Sequence, residues 1–245
     1  EAFERSFASY CNAKYCISTG SGTSALYLAL IAAGIKAGDE VITVPNTFIA
    51  TAEAISATGA KIKFVDVDDY YLIDIEKLKE AITPKTKAIL PVHLHGLQAD
   101  MDEILEIAEE KNLIVVEDAA QAHGAEYEGK RSPINKEDGN EIAIYSFFPA
   151  KNLGAMGDAG AVVTNNEEIA EKVRLLRDHG RISKYEHLIE GFNQRMDSIQ
   201  AAVLNVKLKH LDNWIEKRRR IASLYNKFLA EVNSVSLPSE KAGRK

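Results

Sequence analysis

Three short segments hold residues whose types and spacing could do chemistry. In TGSGTSAL, residues 19–26, Gly20 and Gly22 precede a helical pattern. Small side chains let a backbone approach an anion closely, and a helix start points N–H groups without intrahelical partners at it. Thr23 and Ser24 add hydroxyl donors. By itself this is also what a well-capped helix start looks like. In VVEDAAQAHG, residues 115–124, Asp118 ends an apolar run. A carboxylate there could hold a cationic ring nitrogen, and Gln121 could donate to a ring oxygen. Ala119 and Ala120 leave room for a flat ring, while the plainer alternative is an Asp that caps the next turn. Its carboxyl group is expected to titrate at ~4 and to be charged at neutral pH. In SFFPAKNLGAMGDAG, residues 146–160, Lys151 follows Ser146 in a loop of small residues. Phe147, Phe148, Pro149 and Leu153 could partly desolvate the amine, which lowers its pKa and favours imine chemistry. Taken alone, a lysine is more often a solvated surface charge.

The elements that must position these residues alternate. Strand-like runs fall at 15–18, 40–45, 61–67, 87–94, 113–118, 141–147 and 160–164. Helical patterns fall at 23–33, closed by Gly34 as a left-handed cap, and from a cap at Asn46 or Thr47 to about Thr58. Others fall at 74–82, after a cap at Asp100, and at 166–178. A long pattern at 197–232 carries Ile199, Val203, Val206, Leu208, Leu211 and Ile215, and reads as one connecting helix packed on the domain. The loop 128–140 is polar and expected to be exposed. Near-continuous apolar strands between helices imply an α/β fold, with a mainly parallel sheet flanked by helices on both faces. Ligands in such sheets bind beyond the carboxyl ends of the strands. All three segments sit there. An anion cradle, a carboxylate for a ring nitrogen and an amine nucleophile are the parts that pyridoxal phosphate needs.

Composition narrows the field. Thirty basic and 36 acidic residues give a formal charge of −6, mixed along the chain, which argues against a nucleic-acid binder. No apolar stretch is long enough to span a membrane. Cys11 and Cys16 lack partners at metal-ligand spacing and read as reduced thiols of a cytoplasmic protein. Neither GxGxxG nor GxxxxGK[ST] occurs, so a nicotinamide or nucleoside-triphosphate reading has no fingerprint. The chain opens without Met or a signal-peptide pattern, already inside an amphipathic helix. Pieces are therefore expected to be missing at one or both ends. Residues 1–232 are expected to form one large cofactor-binding domain, and 233–245 a linker or the start of a C-terminal domain.

The segments GSGTSALYLAL, DEVITVPNTFIATAEAI, VEDAAQAHGA, SFFPAKNLGAMGDAGAVVT and GFNQRMDSIQAAVLNVKLKHLD follow one another in this chain. With them it resembles the DegT/DnrJ/EryC1/StrS sugar aminotransferases, of fold type I of the pyridoxal-phosphate enzymes. The resemblance covers nearly the whole chain. It implies that Lys151 carries pyridoxal 5'-phosphate as a Schiff base, that Asp118 pairs with the pyridine nitrogen, and that Gln121 contacts the ring hydroxyl. Gly22, Thr23, Ser24 and Ser146 would hold the phosphate, and Phe48 would stack on the ring; on residues alone Phe48 could equally be a core aromatic. Asn193, or Arg195 in its place, would reach the phosphate site of a partner subunit, which implies a homodimer with shared sites.

The resemblance further implies transfer of an amino group, from glutamate or another amino acid, to a nucleotide-linked keto-deoxysugar, with pyridoxamine 5'-phosphate between the two halves. Lys151 would then act as the proton-transfer base and acid. The segment 174–187, with Arg177, His179, Arg181, Lys184, Tyr185 and His187, could meet a diphosphate, although a solvated surface loop has the same composition. Two departures from the family pattern stand out: a further start and a smaller C-terminal domain are lacking, and His95 and Leu97–Gln98 replace Tyr and Gln-Pro. The rivals are a dehydratase of the same family, where a His replaces the Schiff-base lysine, a catalytically silent cofactor-binding or regulatory protein, and a nicotinamide-dependent oxidoreductase.

Overall fold

The computed structural model describes residues 1–134 and 141–245. Part of the polar loop expected at 128–140 lies outside the described residues. The sheet is formed by β1 (Tyr15–Thr19), β2 (Glu40–Thr43), β3 (Lys61–Phe64), β4 (Thr86–Ile89), β5 (Ile114–Asp118), β6 (Ile142–Ser146) and β7 (Gly160–Thr164). Their order is β1-β7-β6-β5-β4-β2-β3, and only β7 runs against its neighbours. The expectation of a mainly parallel sheet holds. Gly160 opens β7 and pairs with both Thr19 and Ser146, the last residues of β1 and β6. The ends of these strands therefore meet at one edge, beside Asp118 at the end of β5.

The helices are α1 (Ala2–Tyr10), α2 (Gly22–Ala32), α3 (Ile49–Ala57), α4 (Ile75–Ala81), α5 (Met101–Lys111), α6 (Glu167–Arg177), α7 (Ser198–Leu208) and α8 (Leu211–Leu229). Alternate residues of a strand point to opposite faces. Ile17, Ile142, Ile144 and Val162 accordingly join a core with α2, α3, α5 and α6. Cys16, Ala143, Tyr145, Ala161 and Val163 join a second core with α1 and α7. In that second core the Phe7 ring meets Tyr145 and Phe147 edge-on, at 5.0 and 5.1 Å. The middle helix α2 is apolar nearly all round and almost wholly buried, as a helix enclosed by its neighbours should be. Gly34, at φ +84°, ends it, and the N–H groups of Gly34 and Ile35 return to the carbonyls of Ile31 and Leu30.

Several expectations need correction. The single helix expected at 197–232 is two, broken at Lys209–His210. Its buried seam is Leu204 and Leu211, joined by the half-buried Leu208 and Ile215, whereas Ile199 and Val206 stand exposed. Neither Asn46 nor Thr47 caps α3. Phe48 occupies the cap position without a side-chain bond, and the Thr47 hydroxyl pairs with that of Thr51. Asp100 holds the N-cap position of α5 as expected, but it makes no side-chain cap bond there, and its carboxylate pairs with Lys241 and Arg244, each at 2.6 Å. These bonds, with Lys241 on Asp68 and Lys245 paired to Glu126, hold residues 241–245 against the segments that follow β3, β4 and β5. No helix is long and apolar enough to cross a membrane among the described residues.

Candidate active site

Beyond the carboxyl ends of β5 and β6 lies a cavity of about 400 Å³, lined among others by Gly22, Thr23, Phe48, Thr51, Asp118, Gln121, Ser146 and Lys151. That volume lies in the range of sites for small molecules and cofactors. Eight of the nine residues singled out from the sequence as site residues belong to segments that meet here, and seven of them line the cavity.

The side of the cavity at the start of α2 is built by close approach. Gly22 is the first residue of α2, and a Cβ added to it would stand 2.6 Å from the Ser146 Cβ. A Cβ on Gly160 would stand 2.2 Å from the Ser21 carbonyl oxygen. The turn thus presses onto the ends of β6 and β7, which only glycine permits at these two positions. Ser21 caps α2 by accepting the Ser24 N–H at 3.0 Å. The leading N–H groups of a helix have no intrahelical acceptor, so this end of the cavity favours an anion. Ser24 itself is turned away from the lining, and its hydroxyl is bonded to Ser21 and to Gln194.

At the opposite end Asp118 is nearly wholly buried. Its main chain is locked between Pro91 and His93, its Oδ2 accepts the Thr51 hydroxyl at 2.8 Å, and its Oδ1 accepts the Ala120 N–H at 3.1 Å. Burial pushes its pKa above the ordinary carboxylate value, against the opposing pull of Thr51, the Ala120 N–H, His93 and Lys151. The expectation of an ordinary carboxyl pKa is therefore corrected. A cationic ligand at this carboxylate would favour its charged form.

Lys151 is half-buried, in a turn closed by its own N–H on the Phe148 carbonyl. Burial lowers its pKa, and the charge of Asp118 opposes that. A less protonated amine is the better nucleophile. Gly154 is needed below it, since a Cβ there would stand 2.3 Å from the Pro149 carbonyl oxygen. From α7, Gln200 clasps Met156 through both its N–H and its carbonyl, and the Lys207 amine reaches the Gly154 carbonyl. Helix α7 therefore fixes the loop that carries Lys151.

Gln121 spends its side-chain carbonyl on the His95 N–H at 2.9 Å, which leaves its NH2 group to donate. His95 makes this bond from a left-handed conformation, φ 57°. Phe48 is 69% exposed at the cavity, so it is no core aromatic. Asn193 is exposed and does not line the cavity, and Arg195 pairs with Asp178. Of the basic segment at 174–187, Arg177 is spoken for: it bonds Glu4 and Ser18. Arg181 is drawn to Asp178. Sequence reasoning passed over Ser21, Thr51 and Asp158, all in the lining. A helix cap signal could have found Ser21; nothing local marks the other two. No cluster of His, Cys, Asp or Glu suited to a metal occurs among the described residues.

An amine, a buried acid and the start of α2 are thus gathered at one edge of the mainly parallel sheet of an α/β domain. A model of the DegT/DnrJ/EryC1/StrS aminotransferase family matches residues 1–245, and the chain belongs to that family. It is 50% identical over 244 residues to a pleiotropic regulatory protein of Geobacillus stearothermophilus, covering 98% of this chain and 64% of the relative. It is 47% identical over 239 residues to the dTDP-3-amino-3,4,6-trideoxy-alpha-D-glucose transaminase of Streptomyces venezuelae, covering 97% and 62%. The crystal structure of S. venezuelae DesV in complex with a ketimine intermediate superposes with a TM-score of 0.95 at 45% identity, covering 99% of this chain and 65% of DesV. The chain thus spans less than two thirds of the length of these relatives.

Proposed function

We propose that the protein is a pyridoxal-phosphate-dependent aminotransferase acting on a nucleotide-linked keto-sugar, with an amino acid such as glutamate as donor. The observation that carries this reading is the placement of Lys151 and Asp118 in one cavity whose far wall is the start of α2. In this reading Lys151 holds the cofactor covalently, Asp118 pairs with the ring nitrogen, and Gln121 donates to the ring hydroxyl. The phosphate rests on Gly22, Thr23 and Ser146, with Ser24 bracing the turn through Ser21. Phe48 covers the ring from the open side. When bound, the cofactor supplies an electron sink. The chain supplies the rest: Lys151 moves the proton, Asp118 keeps the ring nitrogen cationic, and the apolar walls keep water out.

The same reading includes a cytoplasmic homodimer in which Asn193 of the partner subunit completes the phosphate site. Its support is the family membership and the exposed position of Asn193 beside the anchored Gln194. A second reading, a regulatory protein that holds the cofactor without turnover, is favoured by the name of the Geobacillus relative. Incubation with glutamate, followed by a panel of nucleotide keto-sugars, separates them. Conversion of one keto-sugar to its amino product supports the transferase, and cofactor binding without conversion of any supports the silent protein.

A further inference from the structure

The Thr51 hydroxyl is buried, and it donates to Asp118 Oδ2 at 2.8 Å. A hydroxyl has one proton. With that proton given to Asp118, the 2.8 Å contact between Thr47 Oγ1 and Thr51 Oγ1 must be donated by Thr47. The two hydroxyls thus form a directed chain, Thr47 to Thr51 to Asp118, along the cavity wall. Both threonines lie in the first turn of α3 or just before it, on either side of Phe48. One chain of bonds therefore ties the face that carries Phe48 to the carboxylate.

We propose that Thr51 is a positioning residue for the cofactor site, which holds Asp118 ionised and in register with Phe48. This rests on the reading of the cavity given above. The titratable groups that face Asp118 are His93, from the stretch after β4, and Lys151, from the loop after β6. His93 is itself tied to Glu117 at 2.8 Å and to the Ala99 N–H at 3.2 Å. Helix α3 faces Asp118 with the Thr51 hydroxyl. A hydrogen bond to the charged form favours that form, so the hydroxyl opposes the upward push of burial. Without it Asp118 takes a proton at higher pH and loses its charge for the ring nitrogen.

The test measures the Kd of pyridoxamine 5'-phosphate from pH 5 to 8.5 by fluorescence titration. This probe carries the ring nitrogen but forms no bond to Lys151. The unsubstituted protein is compared with Thr51→Val, Thr51→Ser and Asp118→Asn, and the probe's own titrations are common to all. Binding should weaken on the acid side as Asp118 is protonated. In Thr51→Val that midpoint should rise by about one pH unit, in Thr51→Ser it should return to the original value, and in Asp118→Asn the limb due to Asp118 should vanish. A Thr51→Val midpoint that stays in place, or a loss of affinity equal at every pH, overturns the inference while leaving the cavity reading intact. Failure of the unsubstituted protein to bind the probe overturns both.

Discussion

Gly22 and Ser146 approach so closely that a Cβ on the glycine would overlap the serine Cβ at 2.6 Å. The Ser146 Cβ is fixed directly by its own backbone, whose Cα would lie 3.2 Å away, so rotation of the side chain cannot make room for a methyl group. Gly22→Ala should force α2 away from β6, lower stability by about 1–3 kcal/mol, and weaken cofactor binding more than tenfold. A urea melt and a cofactor titration measure the two effects. Unchanged affinity would show that the start of α2 does not hold the phosphate.

Glu4 ties the first helix to the sheet through Arg177 and Ser18. Burial pushes its pKa up, but the Arg177 charge and the bonds from Ser18 and Arg177 outweigh that and hold it at about 2, against 4.5 for the free side chain. Its stabilisation is whole above pH 4.5 and drains away as pH falls toward 2. Glu4→Gln should therefore cost ~2 kcal/mol at pH 7, a figure discounted for partial exposure. The deficit should shrink toward pH 2. Denaturant melts across that range would contradict this if the deficit were constant.

Asp118→Ala should still bind cofactor, because the phosphate and Lys151 remain. Turnover should fall by on the order of 100-fold or more, since the charge that favours the electron sink is gone. Stopped-flow rates of the glutamate half-reaction measure this. A kcat equal to that of the unsubstituted protein would remove Asp118 from the proposed role.

Mixing Lys151→Ala with Asn193→Ala tests the shared site. If each variant is inactive as a homodimer, a mixed dimer has one site with both lesions and one with neither. Activity should return in part after subunit exchange. No return, with exchange verified by mass spectrometry, would place Asn193 outside the partner's site.

How much of this was legible beforehand depends on where each signal lives. Lys151, Asp118 and Ser146 stood out because each follows an apolar run, and the ends of parallel strands share one edge. Gly22 and Thr23 stood out as the small-residue start of a buried helix. Thr51 gave no signal, since its partner Asp118 is brought to it only by the pairing of strands far apart in sequence. Asp100 was legible as the N-cap of α5, but not that its carboxylate would pair with Lys241 and Arg244 from far along the chain instead of with the helix start. The break at Lys209–His210 was invisible because Leu204, Leu208, Leu211 and Ile215 keep helical spacing across it. The basic segment 174–187 gave no sign of which residue is already paired, because a sequence does not reveal that Glu4 and Ser18 meet Arg177.

The central claim is that Lys151 carries the cofactor covalently. The direct measurement is borohydride reduction of the protein loaded with pyridoxal 5'-phosphate, followed by digestion and peptide mass spectrometry. A single stable phosphopyridoxyl label is expected on Lys151, absent from Lys151→Ala together with the yellow absorbance. A label on another lysine, or a Lys151→Ala protein that keeps its colour and its label, would contradict it.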